Sequence, residues 1–176
     1  MRVALINDNN LTYDDVSEYR RKARAILIKD GMILVSRYGG VTLLPGGSIE
    51  GTELPVCAMI RELKEETGVD YLASDLNNIM TLRYFQPDYP TREGATCNRY
   101  VYTEFFLGEY KEPDLSNVSR SDKELKDNFH LELISIEDFR KSVQEDTGNP
   151  RKKFFDRENE EVISLIDTLN KHRTGR

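Results

Sequence analysis

The stretch that most constrains the fold runs from Pro45 to Val69. It reads Pro45-Gly46-Gly47, a short polar segment from Ser48 to Glu53, then an amphipathic run that stops at Gly68. A proline followed by two glycines ends the short strand read at Val41–Leu44. The spacing from near Thr52 to Thr67 is helical, and Gly68 stands where a left-handed C-terminal residue is usual. On a helical wheel Val56, Met59, Ile60 and Leu63 share one arc, a stripe for packing against a core. Glu62, Glu65 and Glu66 occupy a second arc, with small Ala58 among them. One face packs and another gathers carboxylates.

The acidic face opposes its own helix. Glu62–Glu65 is an i,i+3 like-charge pair and Glu62–Glu66 an i,i+4 pair, each costing roughly 0.2–0.5 kcal/mol. Arg61, four residues before Glu65, offsets part of this, with the cation in the less favourable N-terminal place. Such a face is either solvated or holds a counterion. The ion that suits oxygen donors is a hard divalent cation, Mg²⁺ or Mn²⁺, and no thiolate or imidazole cluster favours zinc. Gly46-Gly47 serves either a tight turn or a close backbone approach to a ligand.

Around this segment, Ala23–Lys29 and Met32–Tyr38 flank Asp30-Gly31, a strong hairpin signal. Ile79–Phe85 and Asn98–Gly108 are strand-like, joined by a loop over Gln86–Thr96. Glu112–Asn128 reads as a polar loop, Phe129–Ser135 as a strand, and Ile136–Val143 as a short helix. After the break at Gly148-Asn149-Pro150, a last helix from about Asp156 to Lys171 places Val162, Leu165, Ile166 and Leu169 on one face. Residues 1–22 form an N-terminal extension without assigned structure, closing on the charged run Tyr19-Arg20-Arg21-Lys22. Mixed elements without strict alternation predict an α+β fold, with helices on a mixed sheet. A chain of 176 residues fits one domain over 1–176.

Net charge and apolar patterning exclude several classes. Lys+Arg 25 against Asp+Glu 31 gives −6, a poor balance for general nucleic-acid binding or for anionic membranes. The longest apolar runs, Ala25–Ile28 and Met32–Val35, are far short of a membrane span, and the N-terminal apolar stretch is too short for a signal peptide. The two cysteines, Cys57 and Cys97, read as reduced thiols in a cytoplasmic protein, with Cys57 packing on the helix away from its acidic face. An anionic small molecule remains an accessible substrate if a metal or local arginines supply positive charge.

Taken together, Gly47, five residues, Glu53, seven residues, Arg61-Glu62-Leu63, one residue, Glu65-Glu66, one residue and Gly68-Val69 resemble the complete Nudix box. Every fixed identity and both aliphatic positions are present; only Thr52 stands where a glycine is frequent. The resemblance implies an α/β/α sandwich with the box as a loop–helix–loop. It implies Mg²⁺- or Mn²⁺-dependent hydrolysis of a nucleoside diphosphate linked to another moiety: an oxidised nucleoside triphosphate, ADP-ribose or a nucleotide sugar, or a dinucleoside polyphosphate. Carried onto this sequence, Glu62, Glu65 and Glu66 would be the metal carboxylates and a carbonyl of Gly46 or Gly47 would complete the site. Glu53 would support it from the start of the helix, and Arg61 would orient the glutamates, most simply by pairing with Glu65. Metals reconcile an acidic protein with an anionic substrate by inverting the local sign. Residues 1–22 and the last helix exceed what the box and sheet need and are available either to cover the sheet or, since relatives often dimerise, to form a homodimer contact. The competing reading is a Nudix-like sensing or scaffold domain that binds a nucleotide without turnover. Such domains commonly lose box carboxylates, and here none is lost.

Two acidic residues beyond the box are candidates for the general base. Glu104 puts a charge inside the β-rich run Tyr100–Phe106, and Glu124 lies in the loop before Phe129, where relatives often place such a residue; Glu124 is preferred. For the substrate, Tyr84 is a candidate stacking residue and Arg37, Arg83 and Arg99 are candidates for phosphate or ribose contacts. Tyr84 and Pro87 both fall near the position past the box that marks certain subfamilies, so that mark leaves the substrate open.

Overall fold

A computed structural model describes residues 1–91, 93–119 and 128–174. Among these residues eight strands form one mixed sheet: β1 (Arg2–Ile6), β2 (Glu18–Lys29), β3 (Met32–Tyr38), β4 (Val41–Leu43), β5 (Gly46–Ser48), β6 (Leu76–Pro90), β7 (Thr96–Glu109) and β8 (His130–Ser135). Their order is β1-β6-β7-β2-β3-β4, with β5 paired to β2 and β8 to β3. β1 runs parallel to β6 and β2 parallel to β7; the other pairs are antiparallel. Among the described residues three helices cover the sheet, α1 (Pro55–Thr67), α2 (Ile136–Ser142) and α3 (Lys152–Thr174).

Alternation along the strands assigns the two faces. Ala23, Ala25 and Leu27 of β2, Leu34 and Phe106 pack with Ala58, Met59 and Leu63 of α1. On the other face Ile26, Ile33, Val35, Met80, Leu82 and Phe105 pack with Phe139 of α2 and Phe154, Val162, Leu165 and Ile166 of α3. The result is the expected sandwich of helices on both sides of a mixed sheet. Among the described residues, no helix is long and apolar enough to cross a membrane.

The departures from the sequence reading have local causes. α1 starts at Pro55, not Thr52: the residue before a proline is driven out of the helical region, and Leu54 is extended at φ −71, ψ 145. Its other end is as expected, with Gly68 left-handed and donating its N–H to the Lys64 carbonyl. The region 1–22 is not an appendage, because Arg2–Ile6 adds a parallel edge strand to β6 and β2 already begins at Glu18. The loop expected over Gln86–Thr96 is mostly strand: Tyr89 pairs with Cys97 and Pro90 with Thr96 beyond an irregularity between Gln86 and Tyr89, where Pro87 has no N–H to give. α3 begins at Lys152, four residues early. Lys152 N–H donates to the Asn149 carbonyl, and its buried ammonium donates to the Ser142 carbonyl and to Asp156. Cys57 is exposed instead of packed.

Candidate active site

The two box glycines meet separate steric demands. β5 pairs with β2 so that Ala23 faces Gly47 and Arg24 faces Gly46. Gly46 sits at φ +129, and a Cβ there would collide with the backbone carbonyl of Ala23. At Gly47 a Cβ would collide with the carboxylate of Glu62, so its absence is what lets Glu62 lie against the loop. Glu66, only 6% exposed, accepts the Gly46 N–H at 3.0 Å. The buried Arg24 donates through Nη1 to the carbonyls of Leu44 (3.0 Å) and Gly46 (2.5 Å), while its Nε stands 3.8 Å from buried Glu158 of α3. The loop is thus clamped from α1, from β2 and, through Glu158, from α3.

Arg61 organises the carboxylates differently from the expectation. Its nearest acidic partners are Glu53, at 2.8 Å from Nη2, and Glu62, at 2.8 Å from Nη1; Glu65 is farther, at 3.6 Å. Nη2 also donates to the Ser48 carbonyl at 2.9 Å. Glu53 lies before the helix, where it accepts the Glu50 N–H at 2.7 Å, so its side chain braces the loop and Arg61 together. The Arg61 hydrogen bond, then the Glu50 N–H, hold the Glu53 carboxyl below the usual carboxylate range. Burial pushes Glu62 upward, only partly countered by Arg61, and Glu65 adds repulsion.

A cleft of about 1020 Å³ opens beside this corner. Gly46, Gly47, Glu62 and Glu66 line one side; Tyr89, Arg99, Arg151 and Phe155 are also in its walls. Arg99 is held by Glu18 (2.8 Å from Nε, 2.7 Å from Nη2) and stacks 3.5 Å above the centroid of Tyr89. Of the residues singled out in the sequence, the cleft therefore gathers Glu62, Glu66, Gly46, Gly47 and Arg99. Glu65 is half-exposed beside Arg61, and Glu53 is behind it.

Others lie elsewhere. Tyr84 is buried in the core against Phe154, so it offers no ring to a ligand. Arg83 is exposed on β6, paired in register with Leu5 and Tyr102 on the sheet face opposite the Ile6 cluster. Arg37 donates to Glu132 at 2.9 Å and to Thr42, in a separate depression near Gly39-Gly40. Glu104 is bound by Asn78 and Tyr102 and does not line the cleft. Glu124 lies outside the described residues. The sequence reading missed Lys22, Arg24 and Glu158. Arg20, Lys22 and Arg24 alternate along β2 and so share a face, a signal present in the charged run before Ala23 once that run is recognised as strand.

The donor set suits a hard divalent cation. The side chains at this corner offer carboxylate oxygens: Glu62 is desolvated against Gly47, and Glu66 is fixed by the loop backbone. Among the described residues no three acidic or imidazole groups already converge as a cage; in this conformation Arg61 sits on Glu62 and Glu53. The Gly46 carbonyl is engaged by Arg24.

The NUDIX domain family model matches residues 18–157, which includes the box, the cleft and the start of α3. The chain belongs to the Nudix hydrolase family. Among curated proteins, the "8-oxo-dGTP diphosphatase" of Proteus vulgaris is 35% identical over 72 residues, 41% of this chain. The match spans 59% of that relative's length. Among solved structures, a Nudix hydrolase from Nitrosomonas europaea aligns with a TM-score of 0.54 at 17% identity, covering 82% of this chain and 90% of that one. A MutT Nudix hydrolase from Burkholderia pseudomallei aligns at 0.51 and 19% identity, over 69% of this chain and 86% of its own. At these identities the structural likenesses speak for the shared Nudix fold.

Proposed function

We propose that the protein is a metal-dependent pyrophosphohydrolase, using Mg²⁺ or Mn²⁺ to direct water onto the pyrophosphate of a nucleoside diphosphate derivative. The observation that carries this reading is the clamped corner. Glu66 takes the Gly46 N–H, Glu62 fills the space left by Gly47, and both carboxylates line a cleft large enough for a nucleotide. Glu62, Glu65 and Glu66 would hold the metal. When bound, such an ion neutralises phosphate oxygens and lowers the pKa of a coordinated water.

The chain's own residues supply position. Arg61 spaces Glu62 from Glu53 and fixes the loop through the Ser48 carbonyl, so the acidic face is preset before substrate arrives. Arg24 holds the Gly46 carbonyl side of the corner while Glu66 holds its N–H side. Arg99, stacked on Tyr89 and anchored by Glu18, offers a rigid planar cation to an anionic or aromatic group in the cleft. Glu124 is the preferred base from outside the box, with Glu104 tied to Asn78 and Tyr102. The setting is cytoplasmic, with both thiols free. The relative named for 8-oxo-dGTP makes oxidised nucleoside triphosphates the first substrates to try, before ADP-ribose and dinucleoside polyphosphates.

The test is phosphate release, coupled to a phosphatase or pyrophosphatase, from such a panel with Mg²⁺. Turnover should be lost in Glu65→Gln/Glu66→Gln. Nucleotide binding by folded wild type without turnover of any substrate would select the silent sensing domain instead.

A further inference from the structure

The cations of the cleft are not equally neutralised. Arg20, Lys22 and Arg24 project from the same face of β2, and Arg99 joins them from β7, where it pairs in register with Glu18. Arg20 donates to Glu18 at 2.7 Å and Arg99 shares the same carboxylate. Arg24 is satisfied by two backbone carbonyls and Glu158. Lys22, in the middle, is half-buried, with its ammonium 5.5 Å from the centroid of the Phe155 ring. Among the described residues, no hydrogen-bond acceptor or carboxylate lies within bonding distance of its Nζ. Burial brings its pKa down to about 8; the attraction of Glu158 opposes this, and the repulsion of Arg24, Arg99 and Arg20 adds to it.

Keeping an ammonium partly out of water among three guanidiniums is unfavourable unless an anion completes it. Lys22 faces Ser48 across the β2–β5 pair, two residues along β2 from the arginine that clamps Gly46. That step is about 7 Å, so an anion at Lys22 lies beside the group held by the acidic helix and not within it. We propose that Lys22 is the centre of a second anion subsite, which takes a phosphate of the substrate outside the pyrophosphate bound at Glu62 and Glu66. The subsite favours nucleoside polyphosphates that carry such an extra phosphate over nucleotide sugars that do not. This inference rests on the pyrophosphohydrolase reading for its choice of ligand, but its first test does not need turnover.

The first arm measures binding of inorganic tripolyphosphate to the intact chain in chelator, by calorimetry. Wild type should bind, Lys22→Met should bind about tenfold or more weakly, and Lys22→Arg, which keeps the charge, should bind within about threefold of wild type. Folding of each variant is checked by its melting curve. Equal binding by Lys22→Met, or no binding by wild type, overturns the subsite. The second arm compares KM. Lys22→Met should raise KM for nucleoside triphosphates about tenfold while leaving kcat within about threefold, and leave KM for a nucleotide sugar nearly unchanged. Equal effects on both substrate classes overturn the substrate preference. Lysine-dependent tripolyphosphate binding with no turnover of any nucleotide would uphold the subsite and remove the hydrolase reading.

Discussion

Glu53 and the box glycines show how single side chains set this site. The Glu53 carboxyl titrates below its ordinary value near 4.5, because Arg61 and the Glu50 N–H favour the ionised form. A folded-state pKa below the unfolded one gives stability that is complete above the ordinary value and is lost as pH falls through the folded one. Glu53→Gln should therefore be less stable than wild type at pH 7, by about 1 kcal/mol or less because the pair is near the surface. The difference should close as melting curves are taken from pH 7 down to pH 3. The glycines separate fold from chemistry. Gly46→Ala forces a side chain onto the Ala23 carbonyl at φ +129 and should cost about 2 kcal/mol or more in urea unfolding. Gly47→Ala meets first the carboxylate end of the Glu62 side chain and no backbone atom as near, so the protein should melt near wild type yet lose turnover on the order of 10- to 100-fold. At this scale the carboxylates and glycines were readable, because the box fixes both their identity and their spacing. Lys22 and Arg24 were not, since their importance depends on which residues of β5 the strand pairs with, and no local pattern states that register.

Among the elements, those specified by local chemistry were legible. The Asp30-Gly31 hairpin appears with both residues at positive φ, α1 stops at Gly68, and the apolar face of the last helix packs as its spacing implies. Elements that exist through distant partners were not. β1 is five residues paired in the sheet with β6, β5 is a Gly-Gly-Ser segment with no strand propensity of its own, and the Pro87–Pro90 stretch stays in the sheet by absorbing an irregularity. Tyr84 went astray for the same reason: its placement under α3 is a tertiary fact. The contact between α3 and the site gives a prediction at this scale. Arg24 and Glu158 are 7% and 6% exposed, so Glu158→Ala leaves a buried guanidinium short of its carboxylate and should cost about 3 kcal/mol. Glu161→Ala, which breaks the surface pair with Arg2, should cost about 1 kcal/mol or less. Equal losses for the two variants in denaturant unfolding would contradict the assigned role of the Arg24–Glu158 contact.

For the whole molecule, the sheet brings an acidic helix and a basic strand to one cleft. α1 lies on one face and α3 on the other, and β2 between them carries Ala23 toward α1 and Arg24 toward α3. The two sets of charge meet at the Gly46–Gly47 corner, and a net charge of −6 is compatible with an anionic substrate once a divalent cation joins the carboxylates. The most direct check is hydrolysis of a nucleoside triphosphate by wild type and by Glu65→Gln/Glu66→Gln, each followed with Mg²⁺, after chelation, and after Mg²⁺ is restored. The account predicts turnover by wild type that stops on chelation and returns with the metal, and none by the variant in any condition. Wild-type turnover that survives chelation, or full activity in the variant, would contradict it.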